Sequence, residues 1–420
     1  EMKVTIQNIG KIRNAEIEIN GITVIAGENN TGKSTIGKVL YSFFNTFFDI
    51  ENKAIEEKKS YAERLVTSML FVDDDTITID IGKIWSIENQ LNKMFSEGNI
   101  ITEEILDRIA IELPDLYDEN MKKNIENLAE KLRTVQKMDS DVYAGQVLQN
   151  NLNREFNKQI KNVNSSGECF IKFVIANQEY NINFQKDRLV FDKIFKNNNE
   201  VVYIDNPYAL DNVVRIPRRT RVIYHQDKLR EQFLSDGKSD SNIYSEILQN
   251  CNIEETMEQI SKAVKGRFVD LTGRIAFLEN GMKDPIYISN LSTGLKTFVI
   301  IKKLLENGTI REKSVLILDE PEIHLHPKWQ LVLAEAMIIL QKEFNLHILI
   351  NTHSPYFLNA IEVYSAKHKI TDRNKYYLSA LEEDGITAKF EDVTFNRDRI
   401  YALLAMPMKE LDEMSYDLER

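Results

Sequence analysis

The sequence is poor in several features that would place a protein in a specialised class. Its 420 residues include only two cysteines, Cys169 and Cys251, too few for a disulfide framework or a four-cysteine zinc site, and this scarcity is typical of a reducing compartment. Apolar runs such as Val315–Leu318 are far shorter than the roughly 20 residues that cross a bilayer. The N-terminus alternates apolar and polar residues and shows no basic-then-apolar leader. We therefore expect no signal peptide, no membrane partner and a cytoplasmic location.

Basic charge is also in the minority. The chain has 53 lysines and arginines against 65 aspartates and glutamates, for a formal net charge of −12. A chain of this charge does not coat nucleic acid indiscriminately, although a local basic groove stays open. Four arginines do cluster within seven positions, from Arg215 to Arg221. Such a cluster fits phosphate recognition, a DNA track, an acidic partner surface or simply a solvated loop.

What remains is ordinary for a globular chain of two or three domains, with 43% hydrophobic and 28% charged residues. Alternating residues predict strands within 2–26, and the spacing of apolar residues predicts a helix from Lys33 to about Phe48. The Lys- and Glu-rich stretch that follows, to about residue 162, has mostly helical periodicity. The last third alternates strand and helix, with buried strands at Val315–Leu318 and Ile348–Asn351. This alternation predicts an α/β fold with parallel strands and crossover helices.

A glycine-rich loop lies between the predicted buried strand at Ile22–Ile25 and the helix at Lys33. Its residues match the pattern G-x-x-x-x-G-K-[ST] and are Gly27, Glu28, Asn29, Asn30, Thr31, Gly32, Lys33 and Ser34, with Thr35 next. Such a loop turns backbone N–H groups and a helix N-terminus toward phosphates. Lys33 would reach the β- and γ-phosphates, and the Ser34 hydroxyl would ligate Mg²⁺.

Two adjacent carboxylates follow the apolar strand that starts at Val315. At the C-terminal edge of an open parallel sheet, side chains such as Asp319 and Glu320 meet the ligand crevice. Asp319 would hold Mg²⁺, directly or through water, and Glu320 would act as the base for an attacking water.

Histidines mark the neighbouring segments. His353 follows the next buried strand, Ile348–Ile350, where it can donate to a γ-phosphate. His324 and His326 could form a metal site with Glu322, but we expect them in the loop beside the catalytic carboxylate, near a subunit contact. A single histidine is more often an ordinary polar loop residue, but the position of His353 one strand after the carboxylates favours a functional role.

A further helix is expected to begin near Leu291. Ser292 is a plausible N-cap in the string Leu291-Ser292-Thr293-Gly294-Leu295-Lys296, and a bare helix N-terminus binds anions. On local grounds a simple helix cap is the favoured explanation of this segment, and a functional role gains support only from the order of the motifs.

The order of these motifs resembles the ABC-type ATPases. Within them the chain is similar to the branch with large mid-domain inserts that includes RecF and SMC proteins and the OLD ATPases. The strings from Asp319 to Pro327 and from Thr352 to Pro355 are most like the OLD-type AAA ATPases of bacterial anti-phage defence systems, of which the Septu ATPase is one. The motifs cover 2–48 and about 265–360.

The resemblance implies an ATPase head with a mixed sheet and a large helical insert. Its divisions would be residues 1–49 and 166–420 for the head and 50–165 for the insert. It also implies ATP and Mg²⁺ as ligands and a homodimer, or a higher even-numbered oligomer, with composite sites. Ser292, Gly294 and Lys296 of one subunit would close on ATP held by the other, and hydrolysis at Glu320 would release them.

Departures from the family pattern limit which properties of the family can be expected of this chain. The usual Leu-Ser-Gly-Gly-Gln signature reads Leu-Ser-Thr-Gly-Leu-Lys here, and Gln226 is the one candidate for the lobe-connecting glutamine. The insert lacks sustained heptads, so a compact helical lobe is expected rather than long arms. Too few residues follow Pro355 for a nuclease domain, so any nuclease or toxin is expected on a separate chain.

Two functions remain open on this basis. The first is a dimeric ATP switch of an anti-phage defence system that regulates a separate effector. The alternative is a RecF- or SMC-type repair or maintenance ATPase that clamps duplex DNA, which would depend on Arg218 and Arg219 and on salt. A transporter motor is disfavoured by the insert and by the altered signature.

Overall fold

A computed structural model gives the fold of most of the chain. It describes residues 2–70, 119–165, 167–185, 188–211, 224–235, 258–271 and 274–418, with single positions at 86, 89, 93, 107 and 111. The arginine cluster Arg215–Arg221 and Cys251 lie outside the described residues, so the sequence predictions for them stay predictions. Within the described part, no helix is long and apolar enough to cross a membrane.

The chain divides into two compact units. One is formed by residues 1–48 and 148–420, and the other by residues 49–147. The second unit is helical in its described parts, and Leu128 and Leu132, four residues apart on one helix, are both buried there. The sequence-based division at 165 is later along the chain than the boundary at 147.

The structure gives the bounds of nine helices. They are α1 (Lys33–Phe47), α2 (Ile50–Leu70), α3 (Glu119–Lys137), α4 (Ser140–Glu155), α5 (His225–Leu234), α6 (Thr293–Glu306), α7 (Pro327–Phe344), α8 (Pro355–Lys367) and α9 (Asp398–Leu418). Short 3-10 turns occupy Pro207–Leu210, Ile288–Asn290 and Thr371–Arg373. The helix predicted to begin at Lys33 is thus confirmed.

An 11-stranded mixed sheet forms the centre of the first unit. Its strands are β1 (Met2–Ile9), β2 (Ile12–Glu18), β3 (Ile22–Gly27), β4 (Phe170–Ile175), β5 (Gln178–Gln185), β6 (Arg188–Phe191), β7 (Val201–Ile204), β11 (Val315–Asp319), β12 (His347–Thr352), β13 (Asn374–Leu381) and β14 (Ala388–Asp392). A separate three-stranded antiparallel sheet contains β8 (Gly266–Leu271), β9 (Arg274–Glu279) and β10 (Ile286–Tyr287). The predicted α/β class with a mixed sheet is confirmed.

The large sheet has a parallel half and an antiparallel half. Strands β13, β3, β12, β11 and β7 are neighbours in that order and pair in parallel. Strands β6, β5, β4, β1 and β2 pair antiparallel, and β14 joins the two halves. The residue patterns explain the difference, because every residue of β3, β7 and β11 is buried, whereas β1 alternates buried and half-buried residues.

Helices cover both faces of the parallel half. On one face, Val24, Leu316 and Ile350 share a core with residues of α6, α7 and α8. On the opposite face α1 packs across β7 and β11, with Gly37 against Ile317. The carboxyl ends of the central strands are therefore left as the open edge at which a ligand site can form.

Candidate functional site

The register of three parallel strands brings the predicted motifs to one edge of the sheet. Ala26 at the end of β3 pairs with Thr352 at the end of β12, and Asn351 pairs with Asp319 at the end of β11. The glycine-rich loop, the two carboxylates and His353 therefore all follow strand ends at the same level. We call Lys33, Asp319, Glu320, Glu322 and His353 the strand-end cluster.

The glycine-rich loop is anchored from the strand beside it. A Cβ atom on Gly27 would lie 2.0 Å from the carbonyl oxygen of Ser379 on β13, so only glycine allows this approach. The Ser379 hydroxyl shares a 2.8 Å hydrogen bond with the Thr31 hydroxyl, which also donates to the Glu28 carbonyl at 2.9 Å. The side chain of Thr31 is thus turned into the protein. In contrast, the remaining side chains of this part of the loop face solvent: Glu28, Asn29, Asn30 and Ser34.

Lys33 is the first residue of α1 and is only 4% exposed. Its ammonium group donates to the carbonyl oxygens of Gly27 at 3.0 Å and Glu28 at 2.6 Å. Burial lowers the pKa of Lys33, while attraction to Glu320, Asp319 and Glu322 opposes that shift. The lysine and the carboxylates therefore belong to one electrostatic neighbourhood, as one magnesium nucleotide held between them would require.

Asp319 is held on both of its oxygens. The Tyr203 hydroxyl donates to Oδ2 at 3.1 Å, and the Asn351 amide donates to Oδ1 at 3.0 Å. The side-chain oxygen of Asn351 is buried and accepts no hydrogen bond from the described residues. A buried acceptor of this kind suits a water or a hydrated cation.

The donor set fits Mg²⁺ bound together with a nucleotide. The described residues contain no group of three or more His, Cys, Asp and Glu side chains that could hold a metal alone. Mg²⁺ commonly takes one or two carboxylates together with substrate phosphates and water. Asp319 and the exposed hydroxyl of Ser34 could supply the protein's share.

Glu320 has an unusual backbone conformation, with φ at 50°. Non-glycine residues rarely adopt this left-handed conformation, and it costs about 1–3 kcal/mol where surrounding contacts enforce it. One such contact is the hydrogen bond from the Glu320 amide to the Asn351 carbonyl, at 2.9 Å. The turn places the Glu320 carboxylate 3.4 Å from Nδ1 of His353, with both side chains partly exposed. The two residues predicted to act on the γ-phosphate thus face each other.

Glu322 takes a different role from the one considered in the sequence. It is 3% exposed, and one oxygen accepts from the Thr352 hydroxyl and from the His353 amide, the latter at 3.2 Å. Burial raises its pKa, against the opposing effect of the hydrogen bond from Thr352. Glu322 therefore ties the end of β12 to the turn after β11. His324 and His326 are exposed instead, and the metal site considered with Glu322 finds no support among the described residues.

A second group of predicted residues surrounds the start of α6. Ser292 is the N-cap residue, but its side chain makes no capping hydrogen bond to the described part of the helix. Gly294 packs so closely on the turn after β11 that a Cβ atom would lie 2.8 Å from the His324 carbonyl. A cavity of about 300 Å³ opens here. Its lining residues, which we call the helix-start cluster, are Ser292, Thr293, Gly294, His324, His326 and Trp329.

Lys296 does not extend into that cavity. It is 2% exposed, forms an ion pair with Asp211 and lies over the ring of Tyr208 at 5.2 Å. Its predicted contact with ATP stays a prediction, and the structure shows the ammonium group already engaged within its own chain. Gln226 is similarly engaged, since its amide donates to Asp205 at 3.0 and 3.2 Å.

Four residues of the site were missed by the sequence analysis as contributors. Asn351 could have been found from the sequence, because it ends the predicted buried strand Ile348–Asn351 two residues before His353. The sequence indicates Tyr203 less strongly, through a hydroxyl within the buried run Val201–Ile204. Nothing in the sequence indicates Ser379, because β13 adjoins β3 only in the folded chain. Glu322 was considered only as a metal ligand.

Comparison with known proteins identifies the family. Residues 2–358 match the AAA ATPase domain family. The chain belongs to that family. This membership confirms the resemblance to ATPases drawn from the motifs.

Two curated relatives extend this result. The Retron Vc95 probable ATPase of Vibrio cholerae serotype O1 biovar El Tor is 33% identical over 96 residues, which are 20% of this chain and 18% of that protein. Endonuclease GajA of Bacillus cereus (strain HuB5-5) is 23% identical over 432 residues, covering 92% of this chain and 60% of that protein. The chain thus spans less than two thirds of the length of either relative.

SMC heads are among the solved structures that match this chain. The SMC head domain from Thermotoga maritima has a TM-score of 0.37 at 12% identity, covering 93% of this chain and 98% of that one. An SmcHead bound to the C-winged helix domain of ScpA has a TM-score of 0.44 at 11% identity, covering 94% and 98%. Because both scores are below 0.5, the fold assignment rests on the observed sheet and on the family match.

Proposed function

We propose that the chain is an ATP-driven dimeric switch that regulates a separate effector, a nuclease or toxin, in a bacterial anti-phage defence system. One observation carries the ATPase part of the proposal: Lys33, Asp319 and Glu320 share one edge of the parallel strands and interact electrostatically. The defence setting is supported by the motif resemblance to OLD-type ATPases, and the retron ATPase and the endonuclease among the relatives fit it.

The residues of the strand-end cluster and the adjoining loop would have different roles in binding ATP and Mg²⁺. Backbone N–H groups of the loop would cradle the phosphates, with Lys33 on the β- and γ-phosphates. The loop residues in this role are Gly27, Asn29, Asn30, Thr31, Gly32 and Thr35. Ser34 and Asp319 would hold Mg²⁺, which when bound neutralises charge on the phosphate oxygens.

Hydrolysis would use Glu320 and His353. Glu320 would accept a proton from water as the water oxygen bonds to the γ-phosphorus and the bond to ADP breaks. His353 would donate a hydrogen bond to the γ-phosphate. The observed distance of 3.4 Å between the two side chains supports their joint placement at one phosphate.

The helix-start cluster would complete the site of a second copy. In this cluster the N-terminus of α6 has no side-chain cap among the described residues, and it faces an open cavity. Such a helix end suits an anion that comes from outside the chain. Ser292 and Gly294 would contact the γ-phosphate of ATP bound to the other subunit. Lys296, buried against Asp211, would fix the start of the helix.

The dimer can be tested with Glu320→Gln, which should bind ATP without cleaving it. Size-exclusion chromatography with light scattering should then show dimers with ATP and Mg²⁺ and monomers without them. Lys33→Ala in the same experiment should stay monomeric, because it cannot hold the nucleotide. A Glu320→Gln chain whose mass is the same with and without ATP would contradict the switch.

The DNA-clamping alternative remains a second candidate because an endonuclease is among the relatives. It predicts ATP-dependent duplex binding that weakens steeply as salt increases and that depends on Arg218 and Arg219. A gel-shift titration at two salt concentrations distinguishes the two, since an effector-regulating switch needs little affinity for naked DNA.

A further inference from the structure

Tyr203 is hydrogen-bonded to Asp319, the carboxylate proposed to bind Mg²⁺. Strand β7 runs parallel to β11, with Tyr203 opposite Ile317, and the side chain is 2% exposed. Its hydroxyl donates to Oδ2 of Asp319 at 3.1 Å. An ionised carboxylate can only accept, so the Tyr203 hydroxyl is the donor in this hydrogen bond.

The helix that follows the glycine-rich loop leaves just enough space for this hydroxyl. A Cβ atom on Gly37 of α1 would lie 3.2 Å from the Tyr203 hydroxyl oxygen and 3.1 Å from a methyl group of Ile317. One turn further along, the ring of Tyr41 lies 6.1 Å from that of Tyr203. Glycine at position 37 thus allows α1 to close over the tyrosine without displacing its hydroxyl from Asp319.

A buried histidine supports the opposite side of the ring. His225 stacks on Tyr203 with ring centroids 4.3 Å apart and an angle of 24° between the planes. Its two ring nitrogens lie 2.7 Å from Glu155 and 2.8 Å from Asp205, and its backbone amide donates to Glu155 at 2.9 Å. An imidazole gripped between two carboxylates cannot rotate freely, so it fixes the plane on which Tyr203 rests.

The contacts continue from Glu155 to the proposed magnesium site. Glu155 is the last residue of α4 and lies in the same unit as His225, Tyr203 and Asp319. From Glu155 the path runs through His225 to the Tyr203 ring and from the Tyr203 hydroxyl to Asp319. All three residues are buried, so they can influence a bound Mg²⁺ only through Asp319.

We propose that Glu155, His225 and Tyr203 form a positioning chain that holds the Asp319 carboxylate in the orientation in which it binds Mg²⁺ with ATP. With Tyr203 on one oxygen and Asn351 on the other, the carboxylate has a single orientation and keeps its remaining lone pairs for the cation. Mutating residues that hydrogen-bond a metal ligand commonly costs about 10–100-fold in metal affinity or activity. The inference rests on the proposed function, because it assumes that Asp319 serves Mg²⁺.

The test variant is Tyr203→Phe, which removes the hydroxyl and keeps the stacked ring. The concentration of Mg²⁺ for half-maximal effect should rise about 10-fold, measured both by ATP hydrolysis and by the Mg²⁺-dependent increase of Tm with a non-hydrolysable ATP analogue. Affinity for ATP in the presence of EDTA should not change. An unchanged Mg²⁺ requirement in both measurements would overturn the positioning chain.

Tyr41→Phe is the matched control. It also removes a hydroxyl from a buried ring that contacts both Tyr203 and His225, at 6.1 and 5.8 Å. A purely structural role for this region would make the two variants alike in Mg²⁺ requirement, and that result would contradict the inference. Gly37→Ala offers an independent route, because its methyl group would displace the Tyr203 hydroxyl and should raise the Mg²⁺ requirement in the same direction.

Asp319→Asn separates failure of this inference from failure of the proposed function. If Asp319 serves Mg²⁺, this variant should show a much larger increase in Mg²⁺ requirement than Tyr203→Phe. A normal requirement in Asp319→Asn would reject the proposed metal site itself. A large effect of Asp319→Asn with none for Tyr203→Phe would reject only the positioning chain.

Discussion

The strand-end cluster and the helix-start cluster differ in how fully each is bonded within one chain. In the first, Lys33 is 4% exposed and Asp319 9%, and main-chain carbonyls, Tyr203 and Asn351 hold their polar atoms. In the second, Ser292, His324 and His326 are exposed around an open cavity. The first resembles a site organised in advance for its ligand, and the second a surface that needs a ligand from elsewhere.

The largest expected effect distinguishes the clusters by nucleotide binding. Lys33→Ala should abolish ATP binding, because the lysine supplies the charge on the β- and γ-phosphates. Isothermal titration calorimetry measures this directly. Lys38→Ala, on the same helix, is the control and should bind as the wild type does. Tight binding by Lys33→Ala would remove the glycine-rich loop from the account.

Ser292→Arg tests the other side of the comparison. The larger side chain would fill the helix-start cluster, so hydrolysis should fall by about 10-fold or more while ATP binding to the single chain is retained. Steady-state phosphate release and calorimetry together measure the two effects. Ser289→Arg, an exposed position three residues earlier, is the control. Loss of ATP binding in Ser292→Arg would mean that both clusters serve the same chain's nucleotide.

Glu322→Ala should act on stability as well as on activity. It leaves the Thr352 hydroxyl and the His353 amide without their shared acceptor, at a cost of about 1–3 kcal/mol for each unsatisfied group. Urea unfolding should show this loss, and turnover should fall because His353 is no longer held. Glu322→Gln retains an acceptor and should lose less. Equal stability of Glu322→Ala and wild type would contradict the clamping role.

The smallest expected effect is a dependence of the free energy of unfolding on pH, which arises from His225. Burial would lower the pKa of His225, but its contacts with Asp205 and Glu155 outweigh that effect and raise the pKa from 6.5 to about 9. Because the folded pKa is above the unfolded one, this contribution to stability is complete below pH 6.5 and is lost as the pH rises through about 9.

The rings of Tyr203 and Tyr41 also face His225, but the pKa values of both hydroxyls are raised well above 10, so they stay neutral over this range. The free energy of unfolding should therefore decline from pH 6.5 to 9 in the wild type. His225→Gln should show a flatter profile. Parallel profiles for the two proteins would show that this histidine is not charged in the folded state.

Local spacing explains what the sequence predicted correctly. The glycine-rich loop from Gly27 to Ser34 needs only a strand before it and a helix after it, and both are present. Asp319, Glu320 and His353 were brought together because parallel strands that are neighbours end at the same edge. Each inference used residues close in the chain together with one general rule of sheet topology.

Contacts between distant segments explain what was missed. Tyr203 reaches Asp319 across 116 positions of sequence, and only the pairing of β7 with β11 makes them neighbours. Lys296 turns inward because Asp211, 85 positions away, lies beside the start of its helix. No period or motif in the sequence specifies such pairs, so the ion pair between Lys296 and Asp211 could not be predicted, and the contact of Lys296 with ATP that the resemblance implies stays a prediction.

Mixing two inactive variants tests most directly whether the two clusters meet across two chains. Lys33→Ala damages only the strand-end cluster and Ser292→Arg only the helix-start cluster, so each alone should hydrolyse little ATP. In an equal mixture, each dimer that contains one chain of each kind has one intact site of two, so turnover should rise well above that of either variant alone, with about a quarter of wild-type turnover expected for random pairing. Turnover in the mixture no higher than the mean of the two separate variants would contradict a site shared between two copies.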